Sequence, residues 1–246
     1  MTEEKKVVKP YNKEASSKKE EVAEMFDNIS KRYDFLNHFL SLGIDKGWRK
    51  KAVKKLIDVQ PERILDLATG TGDFALALLK LKPKQVIGVD ISQGMLDVGI
   101  DKMKRKQVEN IVHMQIGDSE DLPFEEGYFD ALTVGFGVRN YENLEQGLTE
   151  MLRVLRPGGK AVILEFSKPK KFPMKQLFGF YSKSMIPFLG KRISKDERAY
   201  AYLPESVAAF PEGENFMSIL KKIGYTKVDA TPVTGGIATI YTGMKS

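Results

Sequence analysis

The stretch Arg63-Ile64-Leu65-Asp66-Leu67-Ala68-Thr69-Gly70-Thr71-Gly72-Asp73 constrains this chain more than any other, because a short apolar strand runs into a glycine turn and then a helix. Gly70 and Gly72 permit backbone angles and close approaches that a Cβ forbids. A helix beginning at Asp73 offers unpaired N–H groups at its start. Together they make a place for a nucleotide-like cofactor. Further apolar runs follow at Gln85 to Asp90, Ile111 to Ile116, Tyr128 to Phe136 and Ala161 to Phe166. Helical periodicities separate them, over about 73–81, 93–105 and from Leu144 to Leu155, the last stopped by Pro157-Gly158-Gly159. Strands and helices alternating at this rhythm predict an α/β fold: a doubly wound, mostly parallel sheet with helices on both faces. A helix over about 213–223 and two closing strands, Thr226 to Thr231 and Ile237 to Met244, predict an antiparallel hairpin at one sheet edge.

The flanks depart from this rhythm. Residues 1–18 mix Lys, Glu, Ser and Asn and read as a mobile arm. From residue 19 to 246 the chain reads as a single domain, with a helical cap at about 19–60 and an insertion at about 167–210. In the cap, Val22, Met25, Phe26, Ile29 and Tyr33 recur at helical spacing. A second cap helix is predicted from Asp45 to Ile57, with Ile44, Trp48, Ala52 and Leu56 inward and Arg49, Lys50, Lys51, Lys54 and Lys55 on a solvated basic face. Between Ser167 and Lys195 there are eight basic residues and no acidic one, interleaved with aromatics such as Phe172, Phe178 and Tyr181.

Composition narrows the chemistry. The absence of cysteine excludes disulfides and thiolate metal sites and is compatible with a cytoplasmic setting. Two histidines, His38 and His113, lack metal-ligand partners at useful spacing and read as structural, so no metal is expected. A net charge of +6 favours an anionic contact. No run approaches the ~20 apolar residues of a membrane span, which predicts a soluble or peripheral protein. Asp90 ends the second strand twenty residues after Gly70, where a carboxylate can accept hydrogen bonds from both ribose hydroxyls. Asp66 on the first strand and Asp118 after the third then separate two ligands that share this fold. S-adenosylmethionine (SAM) brings a sulfonium and an ammonium, which suit these acids; a dinucleotide brings a pyrophosphate, which does not. The charge pattern favours SAM.

Two longer patterns carry a resemblance. Tyr33, Asp34, Asn37, Leu40, Ser41 and Trp48 match Y-D-x-M-N-x-x-L-S-x-x-x-H-x-x-W, with Leu36 and Asp45 in place of Met and His. Arg153, Val154, Leu155, Pro157, Gly158, Gly159, Leu164, Glu165 and Ser167 match R-V-L-K-P-G-G-x-x-x-x-L-E-x-S, with Arg156 in place of Lys. With the glycine turn and Phe136-Gly137-Val138-Arg139-Asn140, the chain resembles the UbiE/MenG family of class I SAM-dependent C-methyltransferases over nearly its whole length. The resemblance implies the class I Rossmann-like, mostly parallel seven-stranded sheet. It implies SAM contacts at Thr69, Asp90, Asp118 and Ser119, joining Asp66, Gly70 and Gly72 of the turn, and it points to Arg139 and Asn140 near the acceptor. As catalytic residues, Arg139 would stabilise an oxyanion, and Asp118 or a water oriented by Arg139 and Asn140 would take the proton. The acceptor it implies is a prenylated quinol, demethylmenaquinol first and 2-polyprenyl-6-methoxy-benzoquinol second. A nucleic-acid methyltransferase is a third reading, but no added RNA-binding module is evident and no nucleic-acid partner is expected. Such an acceptor lives in the bilayer, so the basic and aromatic insertion is expected to touch an anionic membrane at the inner face of the cell membrane, or to line the tail pocket, or both. A homo-oligomer is left open.

Overall fold

The computed structural model describes residues 7–41, 43–180 and 197–246. Five parallel strands form the centre: β1 (Arg63–Leu67), β2 (Gln85–Asp90), β3 (Val112–Ile116), β4 (Phe129–Gly135) and β5 (Leu155–Phe166). Two more, β6 (Thr226–Val233) and β7 (Ala238–Met244), complete a seven-stranded sheet in the order β3-β2-β1-β4-β5-β7-β6, with β7 antiparallel to both its neighbours. The chain therefore winds outward from β1 to β3, returns to the other side of β1 as β4, and reverses strand order between β1 and β4. Leu67 at the end of β1 is in register with Val89 on one side and Val134 on the other. Helices cover both faces, which is why β1, β2 and β4 read as almost unbroken apolar runs.

Alternation along the strands sends side chains into two cores. Leu65, Leu132 and Ile163 lie in one, with Leu148 and Met151 of α5 (Leu144–Val154) and Phe216 of α8 (Glu214–Ile223). Ile64, Ala131 and Val162 lie in the other, with Phe74 of α3 (Asp73–Leu78) and Trp48 of α2 (Ile44–Lys54). The helix ends follow local chemistry. Ser92 caps α4 (Gln93–Lys106) by accepting from the Met95 N–H, and Asn143 caps α5 by accepting from the Gln146 N–H. Gly224, at φ 118°, ends α8 in the left-handed conformation that suits glycine.

The cap is α1 (Lys18–Leu40) followed by α2. Residues 11–13 of the arm are stitched to α1 by Glu21, whose buried carboxylate accepts the backbone N–H groups of Tyr11, Asn12 and Lys13. In α2 the predicted faces need correction. Ile44 is exposed at the first position of the helix, and Asp45 and Arg49 turn inward with Trp48, Ala52 and Val53. Arg49 leaves the basic face because Asp45 and Asp73 both pair with its guanidinium. The Pro157-Gly158-Gly159 stop is likewise displaced: α5 already ends at Val154, and β5 begins at Leu155 with a register shift that accommodates the three residues against β4.

The insertion supplies α6 (Met174–Phe180) and α7 (Glu197–Ala209). Its remaining part, 181–196, with Tyr181, Met185, Ile186, Phe188, Leu189 and four of the eight cations, lies outside the described residues. Among the described residues no helix is long and apolar enough to cross a membrane. The two sheet edges are β3, where His113, Gln115 and Ile116 are exposed, and β6, where the register slips between Thr226 and Asp229 around Lys227 at φ 46°.

Leu132 is fully buried on the central strand beside the strand-order reversal. Leu132→Ala is expected to cost about 2–5 kcal/mol of unfolding free energy, read as a lower urea midpoint at unchanged slope.

Candidate active site

The carboxyl ends of β1, β2 and β4 open into a cleft. Gly70, Asp90, Ile91, Asp118 and Ser119 form one side; Phe136, Gly137, Asn140 and Tyr141 form the other; α1 lies across with Lys19, Val22, Phe26 and Tyr33. The strand-order reversal parts the loops after β1 and β4, so the cleft falls where ligands of doubly wound sheets bind.

The glycine turn is held from beneath by Asp66. This carboxylate is completely buried and accepts from the hydroxyls of Thr69 and Thr133, each at 2.6 Å, and from the Ala75 backbone. Burial outweighs these bonds and pushes Asp66 up to about 6. Asp90 does the same for the rim: one oxygen accepts the Gly70 N–H at 2.8 Å and the other the Ser92 N–H at 2.9 Å. Burial also raises Asp90 to about 6. Gly70, at φ 55°, has open space where a Cβ would stand.

Of the residues singled out for the cofactor, the structure brings Gly70, Asp90, Asp118 and Ser119 to the cleft wall. Asp66 and Thr69 sit behind it and shape the turn. Gly72 faces away, and its Cβ would run into Met103 and crowd Met114, so this glycine allows α4 and β3 to pack against the turn. Asp118 is paired with Lys19 of α1, which also reaches Glu120 at 3.4 Å.

Of the two residues assigned to the acceptor, Asn140 lines the cleft and Arg139 does not. The Arg139 guanidinium pairs with the fully buried Glu165 at 3.0 Å, donates to the Phe136 carbonyl, and lies 5.6 Å from the centre of the Phe166 ring. Burial pushes Glu165 up, with Arg139 and backbone N–H groups opposing the shift. Lys18, bonded to the carbonyls of Arg139 and Tyr141, is lowered to about 8 by burial and by the Arg139 charge. Sequence reasoning passed over Lys18 and Lys19, whose neighbours in the fold lie about a hundred residues away. Tyr33 and Glu165 stood within the two quoted patterns, although nothing in their spacing announced a site. Burial raises the Tyr33 hydroxyl to about 12, so at neutral pH it is a hydrogen-bonding phenol.

The donors show which ligand the turn fits. In a dinucleotide site the N–H groups of turn and helix start face a pyrophosphate. Here Gly70 and Ala75 already give theirs to Asp90 and Asp66. Toward the cleft stand the carboxylates of Asp90 and Asp118, the latter paired with Lys19, the Ser119 hydroxyl, the Asn140 amide, and apolar surface from Ile91, Met95 and Phe136. That set fits an adenosine joined to a cationic amino-acid end. No group of acids and histidines able to hold a metal occurs among the described residues, and His113 is exposed on β3.

Strand order, turn acid and cleft together define a class I SAM-dependent methyltransferase fold. The chain belongs to the ubiE/COQ5 methyltransferase family, which it matches over residues 14–245. It is 49% identical over 239 residues to a demethylmenaquinone methyltransferase of Bacteroides fragilis, spanning 97% of both chains. It is 44% identical over 232 residues to a ubiquinone/menaquinone biosynthesis C-methyltransferase of Geotalea daltonii, spanning 94% of this chain and 98% of the other. In fold it is similar to a SAM-dependent methyltransferase of Thermotoga maritima, at 21% identity and TM-score 0.63, covering 91% of this chain and 99% of that one.

Asp90 gives a pH test. With its pKa raised to about 6, the charged acceptor is present above that value and lost below it. SAM affinity by calorimetry is expected to fall below pH 6, by up to roughly tenfold per unit. Asp66 titrates in the same range, so Asp90→Asn separates them: it should bind weakly at pH 7.5 and show a flattened profile.

Proposed function

We propose that this chain methylates a ring carbon of a prenylated quinol, converting demethylmenaquinol to menaquinol, with SAM as donor. The observation that carries the reading is the cleft itself: acids at the β2 and β3 ends, an amide at the β4 end, and a protein-lined passage between. Asp90 would hold the ribose, Asp118 and Ser119 the adenine end, and the turn from Thr69 to Gly70, shaped by Asp66, the amino-acid end. When bound, SAM supplies an electrophilic methyl group. The chain has to hold the ring carbon in line with it, and orientation of this kind can supply much of the rate.

The rest is proton and charge management. Loss of the proton from the hydroxyl beside the reacting carbon makes an oxyanion and raises that carbon's nucleophilicity. The carbon takes the methyl as the S–CH3 bond breaks and the demethylated thioether leaves. The hydrogen that carbon still bears then departs as a proton while the neighbouring oxygen regains one, which restores the aromatic quinol. Asn140, on the cleft wall, would donate to this oxygen, with the positive charge of Arg139 set behind it. The proton passes to a water held at Asn140, or to Asp118 once Lys19 has released it. No covalent enzyme intermediate is required. The alternative acceptor is the 6-methoxy-benzoquinol of ubiquinone synthesis, favoured by the dual name of the Geotalea daltonii relative. Quinone profiles of a deletion strain with and without this chain decide between them: menaquinone restored and its demethylated precursor gone supports the first reading; restoration of ubiquinone alone supports the second.

We also propose peripheral contact with an anionic membrane at the inner face of the cell membrane. The support is the start of the insertion, where Phe172 is 81% exposed beside the exposed Lys168, Lys170, Lys171 and Lys175. Pro169 and Met174 pack against Gly236 and Gly235, so this platform is tied to the sheet.

Two outcomes are expected. Asn140→Ala should lower kcat by about 10²–10³ with SAM affinity within about twofold. In liposome sedimentation, binding should rise with anionic lipid and fall on Phe172→Ser; no dependence on anionic lipid removes the membrane contact.

A further inference from the structure

The consecutive residues Arg139 and Asn140 lie in a 3-10 turn, Val138–Asn140, and a turn of three residues has little rigidity of its own. Glu165 and the Phe136 carbonyl hold the Arg139 guanidinium from the sheet side, and α7 adds one further contact to each residue of the pair. The Tyr202 hydroxyl donates to Asn140 Oδ1 at 3.2 Å, with both groups buried. Ser206, one turn further on, meets Arg139: its Oγ accepts from Arg139 Nε at 3.3 Å while its own proton goes to the Leu203 carbonyl at 3.0 Å. Residues four apart share a helix face, so a single face of α7 grips both members of the pair.

The direction of each bond has a consequence. With Oδ1 accepting from Tyr202, Asn140 Nδ2 is the donor end of the amide: it donates to the Phe136 carbonyl at 3.5 Å and has a second N–H, on a side chain that lines the cleft. With the Ser206 proton committed to Leu203, only lone pairs face the guanidinium, which favours the cation at that spot. The face itself is fixed, because Ala199 and Tyr202 pack with Val22 and Met25 of α1 in a separate apolar cluster.

We propose that Tyr202 and Ser206 are positioning residues for the methyl transfer, Tyr202 setting the Asn140 amide as a donor toward the acceptor and Ser206 aligning the Arg139 guanidinium. This rests on the reading of Asn140 and Arg139 as the acceptor side. It gives the end of the insertion a task distinct from membrane contact: α7 is the backstop of the site.

The test is Tyr202→Phe, which removes one hydroxyl and keeps the ring. With demethylmenaquinol as acceptor, kcat is expected to fall roughly 3–10-fold, with KM and calorimetric SAM affinity within about twofold. The side-chain amide resonances of Asn140 should shift and broaden in the ¹⁵N–¹H spectrum. Ser206→Ala should give a smaller loss of kcat. Tyr225→Phe is the control, since Tyr225 donates to the Leu148 carbonyl within the core; it should lower stability and keep kcat. Tyr202→Phe with kcat and Asn140 amide resonances both as in the wild type overturns the proposal. If the wild-type protein fails to methylate the naphthoquinol, the substrate reading falls, and the Asn140 resonances in Tyr202→Phe still decide the positioning role.

Discussion

The structure depends on one buried carboxylate. Asp66 is removed from water on a central strand, a place that strongly disfavours charge, and it is tolerated because its two oxygens collect hydroxyls from Thr69 and Thr133. Those hydroxyls belong to the turn after β1 and to β4, the two elements parted by the reversal of strand order. A single side chain thus ties the glycine turn to the neighbouring strand. Replacing either threonine would take one donor from a carboxylate that has no water to turn to, which costs more than a hydrogen bond usually contributes. Asp90 repeats the arrangement one strand away, so the floor and the rim of the cleft are both organised by acids that hold protein N–H or O–H groups.

The cap is attached to this frame by the same currency. Asp27 of α1 accepts from the Ser92 hydroxyl and the Gly94 N–H at the start of α4. Asp34 accepts from Thr71 in the turn and pairs with Lys102, which also holds Asp73. Lys18 and Lys19 fasten the first turn of α1 to the loops after β4 and β3. A helix that sequence periodicity describes only as amphipathic is therefore pinned at both ends of the site, and it forms a wall of the cleft as well as a layer over the sheet.

The centre of the sheet was legible because β1, β2 and β4 are nearly continuous apolar runs, and the place of Asp90 on the cleft wall was legible because strand ends in this topology converge. The corrections arose where a local pattern met a distant partner. Arg49 looked like one cation among five until Asp45 and Asp73 turned it inward. The Pro-Gly-Gly signal marks a detour in β5, since pairing with β4 already begins at Leu155. Arg139 stood out within its Phe-Gly-Val-Arg-Asn pattern, but its pairing with Glu165, twenty-six residues on, is a fact of topology. The same holds for Tyr202 and Ser206, whose partners lie more than sixty residues earlier.

The two outer strands carry a consequence for how molecules of this chain meet one another. An unpaired edge offers a row of backbone donors and acceptors to any other strand. On β6 that row is interrupted: Pro232 has no N–H to give, Lys227 adopts a left-handed φ, and the register slip twists the strand at its start. On β3 the strand is only five residues long. A five-residue strand on one side, and a proline, a left-handed residue and a register slip on the other, make each edge of the sheet a poor template for a further strand.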